Sequence, residues 1–290
     1  MSNFKNQLAN KPGTYYLYNL DLVLNDKLID QFHGVKYVCM QGSSVRAKEF
    51  AGKLAHEMLN IDPRFFKPVN LFKGTRFECY RIGNILSVSH GMGTVSIITL
   101  LHSLTNLLHA ANNNELEYIR IGTCGGINIA PGSVVITDTS YMPDLSSGYT
   151  MQVLGKDISY PTHMNKELND RVLGCQPSGL PFTIYRGNSI AADDFYLGQA
   201  RFDGAIKPHY DEKKRQEYFA RASTLNIYNI EMESTALAAF CNRANIPATM
   251  IAVTLLDRIH GDQITASDEE LADYSDRSQQ VVINYLKSVK

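Results

Sequence analysis

Val35-Lys36-Tyr37-Val38-Cys39-Met40, closed by Gly42-Ser43-Ser44, is the stretch from which the fold is read. The apolar run suits a buried strand, and the glycine–serine turn ends it. Beyond the turn, Ala47, Phe50, Ala51, Leu54 and Met58 recur at three- and four-residue spacing, which is one face of a helix. Strand, glycine turn, helix opens an α/β unit.

The unit recurs. Asn84 to Val88 reads as a strand, Gly91 and Gly93 as its turn, and Val95 to Ala111 as a long helix. Tyr118 to Ile121 is a strand ending in Gly122-Thr123, and Val134 to Ile136 is another. A helix is expected over Asn165 to Leu173 and an extended piece over Phe182 to Arg186. Ile227 to Ile230 leads into a helix from Glu233 to Ala244, and Ala248 to Leu256 is an apolar strand. Ser267 and Glu270 form a capping box that opens the last helix. Alternating strands and helices imply an α/β sheet with helices on both faces. Residues 137–164, rich in Gly, Ser, Pro and Asp, read as a surface excursion. With no linker or repeat, the expectation is a single domain over 1–290, with 1–34 as an N-terminal extension.

Bulk properties bound the partners. A chain of 290 residues, 44% hydrophobic and 20% charged, can build a sizeable core. A net charge of −1 gives no overall pull toward nucleic acid or membrane, so an anion site must be a local cluster of Arg. Cysteines at 39, 79, 124, 175 and 241 are odd in number and lack close pairs, as for reduced thiols inside a cell. Met1 to Lys11 is polar, and no run approaches the roughly 18 apolar residues of a span. The expectation is a cytoplasmic protein.

Three stretches carry chemistry. Asp194-Phe195-Tyr196-Leu197-Gly198-Gln199-Ala200-Arg201 sets an amide and a guanidinium two residues apart, after an aromatic pair. The amide can accept and donate along one edge of a planar ring, and the guanidinium can donate to a carbonyl gaining charge. Ile230-Glu231-Met232-Glu233-Ser234 puts a carboxylate at a helix start, where it could bind a cis-diol; a helix-dipole or capping role is equally open. Gly42 to Arg46 aims backbone amides and a guanidinium at whatever lies above the turn, though an ordinary βα turn with a solvated Arg has the same spacing. Arg120 interrupts an apolar strand, so it must be paired or face a ligand cavity. His33, His90, His102 and His109 keep no metal-binding company and read as surface or satisfied core histidines.

Six motifs in order give a resemblance from about Asp30 to the C-terminus. They are Gly42-Ser43-Ser44-Val45-Arg46, Val88-Ser89-His90-Gly91-Met92-Gly93, Ile119-Arg120-Ile121-Gly122-Thr123, Phe195-Tyr196-x-Gly198-Gln199-x-Arg201, Ile230-Glu231-Met232-Glu233-Ser234 and Gly261-Asp262-Gln263. The chain resembles the uridine phosphorylases of the nucleoside phosphorylase-I family, the animal enzymes most closely.

The resemblance implies a three-layer sandwich with a central mixed sheet flanked by helices. It implies cleavage of uridine by inorganic phosphate, a co-substrate, with no metal or other cofactor, as a step of pyrimidine salvage. Gly42, Arg46, Arg120 and Thr123 would hold phosphate. Glu233 and Met232, with Thr123, would hold ribose. Gln199, Arg201 and Phe195 would read the base, with Leu255, Leu256 and Ile259 as an apolar wall. A homodimer with shared sites is implied, in which Arg76 reaches the neighbour's phosphate and Asn19 stands where the family has a His.

Asp257 is a second departure. Animal uridine phosphorylases usually have Asn near it, whereas purine nucleoside phosphorylases of the family have an Asp that protonates the base. Purine phosphorolysis is therefore the alternative, along with a homologue that binds nucleosides without turnover.

Overall fold

The computed structural model describes residues 15–62 and 64–290. Strands β1 (Tyr15–Leu17) and β2 (Leu22–Leu24) form a small hairpin, and helix α1 (Asp26–Phe32) follows, capped by the Asn25 side chain. Then come β3 (Tyr37–Gln41), α2 (Ser44–Leu59), β4 (Cys79–Ile82), β5 (Ile85–Ser89) and α3 (Thr94–Ala110). The central section holds β6 (Glu117–Gly126), β7 (Val134–Tyr141), the hairpin β8 (Tyr149–Val153) with β9 (Lys156–Tyr160), and α4 (Lys166–Gly174). β10 (Ile184–Ala191), α5 (Glu212–Thr224), β11 (Ile227–Glu231), α6 (Ser234–Ala244), β12 (Ala248–Asp257) and α7 (Asp268–Ser288) complete the order.

Eight strands form one mixed sheet in the order β11-β10-β7-β12-β6-β3-β5-β4. β3 lies parallel to both β5 and β6, and β12 parallel to β6, while β12 and β7 run antiparallel. The end of β6 also pairs with β11, Gly125 opposite Ile230, which curls the sheet into a barrel-like ring. A register shift in β12 between Thr254 and Leu256 accompanies this bend, as bulges do where a strand re-aims its side chains.

Period-two alternation sends side chains to two cores. Val38 and Met40 of β3 join Tyr118 of β6 and the apolar faces of α3 and α6. Tyr37 and Cys39 of the same strand join Ile119 and Ile121, under α2, α4 and α7. Helices thus cover both faces, as read from the alternating pattern. Cys39, Cys79, Cys124 and Cys241 are buried free thiols, and Cys175 is half-buried. Among the described residues, no helix is long and apolar enough to cross a membrane.

Three segments differ from the sequence reading. Residues 1–14 of the expected extension lie outside the described residues, but 15–34 are not peripheral: Leu17, Leu20, Leu22, Leu28 and Phe32 are buried in the first core. The 137–164 excursion contains the end of β7 and the β8–β9 hairpin, in which half-buried residues alternate with exposed ones and none is fully buried. α5 was not foreseen, since only Arg215, Phe219 and Ala222 of its thirteen residues are buried.

Candidate active site

The carboxyl ends of β3, β6, β11 and β12 converge, with the loops after β5 and β10, on a cavity of about 210 Å³. Strand ends of α/β sheets are where ligands gather. Gly42, Arg46, Arg120, Thr123, Phe195, Gln199, Arg201, Met232, Glu233, Leu255 and Leu256 all line it. Eleven residues separated by up to 214 positions are thus gathered around one space.

One end is cationic. Ser43 caps α2 by accepting from the Arg46 amide at 3.2 Å, which fixes the turn above Gly42. Arg46 Nη1 donates to the Thr123 hydroxyl at 3.3 Å. Burial first, then the neighbouring Arg120, lowers the Arg46 pKa. Arg120 is buried on the core strand β6, and its guanidinium folds back over Gly122, where a Cβ would meet Nη1 at 2.4 Å. The small residue is therefore what lets a charged side chain lie along a buried strand.

The middle is acidic. Arg120 Nη2 donates to Glu233, and its Nη1 stands 3.1 Å from Glu231, an ion-pair contact without hydrogen-bond geometry. Burial disfavours the Arg120 charge, but Glu233 and Glu231 outweigh it and hold the pKa above its ordinary value. The two carboxylates divide their tasks. Glu231 accepts from the amides of Glu233 (2.9 Å) and Ser234 (3.1 Å), so it caps the start of α6. Burial raises its pKa. Glu233 accepts from the Gly93 amide at 2.6 Å. Burial works against its charge, yet Arg120 prevails and holds its pKa below the usual value. Glu233 is therefore an ionised acceptor in the cavity wall, beside Met232.

The other end is polar and aromatic, and it is built on a loop. Asp194 accepts from the amides of Tyr196 (3.1 Å) and Gly198 (2.9 Å), folding the segment. Gln199 is buried. The Arg201 guanidinium lies 4.6 Å from the centre of the Phe195 ring and is held by Asp203 Oδ1 at 2.8 Å. That hydrogen-bonded pair raises the Arg201 pKa despite partial burial.

One cavity thus gathers the guanidinium groups of Arg46 and Arg120, the ionised carboxylate of Glu233, and the amide and guanidinium of Gln199 and Arg201. The phosphorylase superfamily profile matches residues 36–287. The chain belongs to the phosphorylase superfamily.

Within this superfamily, uridine phosphorylase 1 of Mus musculus is 38% identical over 283 residues, 97% of this chain and 90% of its own length. Uridine phosphorylase 2 of Mus musculus is 39% identical, over 93% of this chain and 85% of its own. The crystal structure of uridine phosphorylase from Schistosoma mansoni in complex with uracil superposes with a TM-score of 0.90 at 30% identity, covering 98% of both chains.

Not every expected residue faces the cavity. Ile259 packs toward the cluster of Ile127, Ile190 and Phe219, because the Asp257 carboxylate accepts its amide at 3.0 Å and turns the chain; Ile264 lines the cavity instead. Asn19 donates to Ser103 Oγ at 3.3 Å, outside the cavity of this chain. Arg76 is exposed and also outside it. The segments of these two residues touch, since the Gly74 amide donates to the Leu20 carbonyl at 3.1 Å. Asp257 does not line the cavity; it also accepts from the Asn128 amide at 3.1 Å.

Sequence reasoning missed Arg258 and Asp262. Arg258 is fully buried, with its stem over Gly125, where a Cβ would come within 2.6 Å of Cγ. It donates to the Gln199 carbonyl and to Asp262 Oδ1, both at 2.8 Å. Asp262 also accepts from the Phe202 amide (2.8 Å) and from Arg215 (3.2 Å), so it ties the loop of Gln199 and Arg201 to β12 and α5. The Gly261-Asp262-Gln263 motif was the available signal. His90 is fully buried; among the described residues its ring nitrogens make no hydrogen bond of good geometry, and the Gly91 backbone is the nearest such partner. His33 does bond, to the Ala111 carbonyl, and His102 packs on Phe240.

Proposed function

We propose that this protein is an animal-type uridine phosphorylase, cleaving uridine with inorganic phosphate to uracil and ribose 1-phosphate. The observation that carries the reading is the set of groups gathered around one cavity: Arg46 and Arg120, Glu233 paired with Arg120, and Gln199 with Arg201. The named relatives and the uracil complex of the Schistosoma protein support it.

Phosphate sits under the sugar, held by the Gly42 amide, Arg46, Arg120 and Thr123, which is a matter of positioning. Glu233 exchanges its Gly93 contact for the ribose hydroxyls, over Met232, with Thr123 also at the sugar. Phosphate oxygen bonds to the anomeric carbon as the N-glycosidic bond breaks, and the bonding pair leaves on uracil. Gln199 and Arg201 stabilise that anion most in the transition state. Phe195, Leu255 and Leu256 pack around the ring. Inorganic phosphate is the co-substrate, and no further cofactor is needed.

The active form is a homodimer. Asn19 and Arg76 lie on adjoining segments outside their own cavity, as groups lent to a partner's site would. Arg76 then reaches the partner's phosphate and Asn19 the ribose 5′-hydroxyl. The setting is cytoplasmic pyrimidine salvage. Purine cleavage is disfavoured because the Asp257 carboxylate is bonded to the Asn128 and Ile259 amides.

A substrate panel in phosphate buffer tests the reading. Uridine should be cleaved, and cytidine and inosine negligibly. Inosine cleavage faster than uridine cleavage would install the purine alternative. Mixing Arg76→Ala and Gln199→Ala subunits should restore part of the activity that each lacks. Verified exchange without recovery would confine Arg76 to its own chain.

A further inference from the structure

Asp193 has no task in that mechanism, yet it joins the two segments the mechanism depends on. It immediately precedes Asp194, which folds the loop of Gln199 and Arg201 by accepting from the Tyr196 and Gly198 amides. Asp193 bonds outside that loop: its Oδ1 accepts from the Thr94 hydroxyl at 2.8 Å. The two residues are 99 positions apart, so the bond links separate segments.

Thr94 is the buried first residue of α3. Gly93 before it stands at the N-cap with φ 86°, a setting that favours glycine, and caps with no side chain. The Gly93 amide is instead donated to Glu233 at 2.6 Å. A carboxylate is well placed at this helix start, where the dipole favours negative charge, and a hydroxyl donating to a carboxylate makes one of the stronger hydrogen bonds. Tyr149 of β8 stands beside the pair, and burial, then the Asp193 charge, raises its pKa. The bond thus lies at a partly buried seam, although Asp193 itself is exposed.

Two halves of the cavity wall meet at that seam. One carries Met92 and the Gly93 contact of Glu233; the other carries Phe195, Gln199 and Arg201. Uridine must satisfy both at once, because its base and sugar are joined by a single glycosidic bond. Arg258 and Asp262 tie the base loop to β12 and α5, whereas the Asp193 bond ties it to the turn that bears on the sugar acceptor.

We propose that Asp193 is a positioning residue. Its bond to Thr94 clamps the base loop to the Gly93 turn and so sets the span between the base readers and Glu233. The inference rests on uridine being the substrate.

The test separates ligands that cross this span from ligands that occupy one side of it, in the full-length enzyme. Asp193→Ala should lower kcat/KM for uridine about tenfold, the loss expected for one good hydrogen bond. The dissociation constants of uracil alone and of ribose 1-phosphate alone, by calorimetry, should change little, because neither compound feels the span. Asp193→Asn, whose Oδ1 can still accept, should keep most of the activity. Thr94→Val should repeat the loss, and the Asp193→Ala/Thr94→Val double variant should be no worse than the poorer single one. Should Thr94→Val not fold, the Asp193 pair of variants decides alone. Wild-type kcat/KM in Asp193→Ala, or uracil binding weakened as much as uridine turnover, would overturn the proposal; the second result would mean that the loop has merely loosened. If the wild type does not cleave uridine, the functional reading falls first; if it does and Asp193→Ala matches it, only the role of Asp193 falls.

Discussion

The two ends of the cavity are built on different principles. The anion end stands on core strands: Arg120 within β6, Gly42 directly after β3, Arg46 in the first turn of α2. Its charges are buried and compensate one another, Arg120 against Glu231 and Glu233. The base end stands on the loop after β10, shaped by Asp194, Asp203 and Asp262. A strand-built end fixes its groups through the sheet that holds the fold. A loop-built end fixes them through polar ties that can be cut singly. Damage at the first should reach stability and turnover together; at the second, loss of an unpaired side chain such as Gln199 should reach turnover alone.

The largest effect should come from Arg120→Ala. It strands two buried carboxylates, and breaking a buried pair costs about 3–5 kcal/mol. Both the unfolding midpoint and uridine turnover should collapse. A variant with wild-type stability would dissolve the contrast between the ends. Gln199→Leu should lose most uridine activity through an unmet base edge, with a melting temperature close to wild type. A large loss of stability there would make the base end structural too.

Much of the anion end was legible because charge on an apolar strand is conspicuous. Arg120 stood out between Ile119 and Ile121, and the turn at Gly42 followed a clear strand. Gln199 and Arg201 were legible as a donor–acceptor pair. The props of the loop were not. Asp262 and Arg258 lie about 60 residues from the loop they hold, and nothing local marks a residue as a distant tie. Arg258 follows a strand, where a surface position is the ordinary expectation. The burial of His90 was hidden for the same reason: a histidine after a strand reads as polar, and only the packing of Gly42, Gly91 and α3 encloses it.

Asp262→Asn sharpens the comparison at the loop end. It should raise the KM for uridine several-fold and leave the KM for phosphate within twofold, by steady-state kinetics varying each substrate. A matching rise for phosphate would show that the ends are not separable.

A smaller effect concerns pH. The folded pKa of His90, about 3, lies below its ordinary 6.5. Between these values the unfolded chain binds the extra proton, so stability falls as pH falls. His90→Gln should flatten that acid slope by up to about one proton, read from denaturant melts across the window; an unchanged slope would mean the imidazole is accessible. Asp257→Asn should do least, since Asn keeps an oxygen for the Asn128 and Ile259 amides. Uridine turnover should stay within about twofold, and a gain or loss of inosine cleavage would contradict the placement of Asp257.

The most direct test of the whole account is the fate of phosphate. Purified enzyme given uridine and isotopically labelled inorganic phosphate should release uracil and ribose 1-phosphate in equal amounts, the label entirely in the sugar phosphate, and should stop when phosphate is removed. Uracil released at the same rate in phosphate-free buffer, with free ribose as the second product, would contradict it.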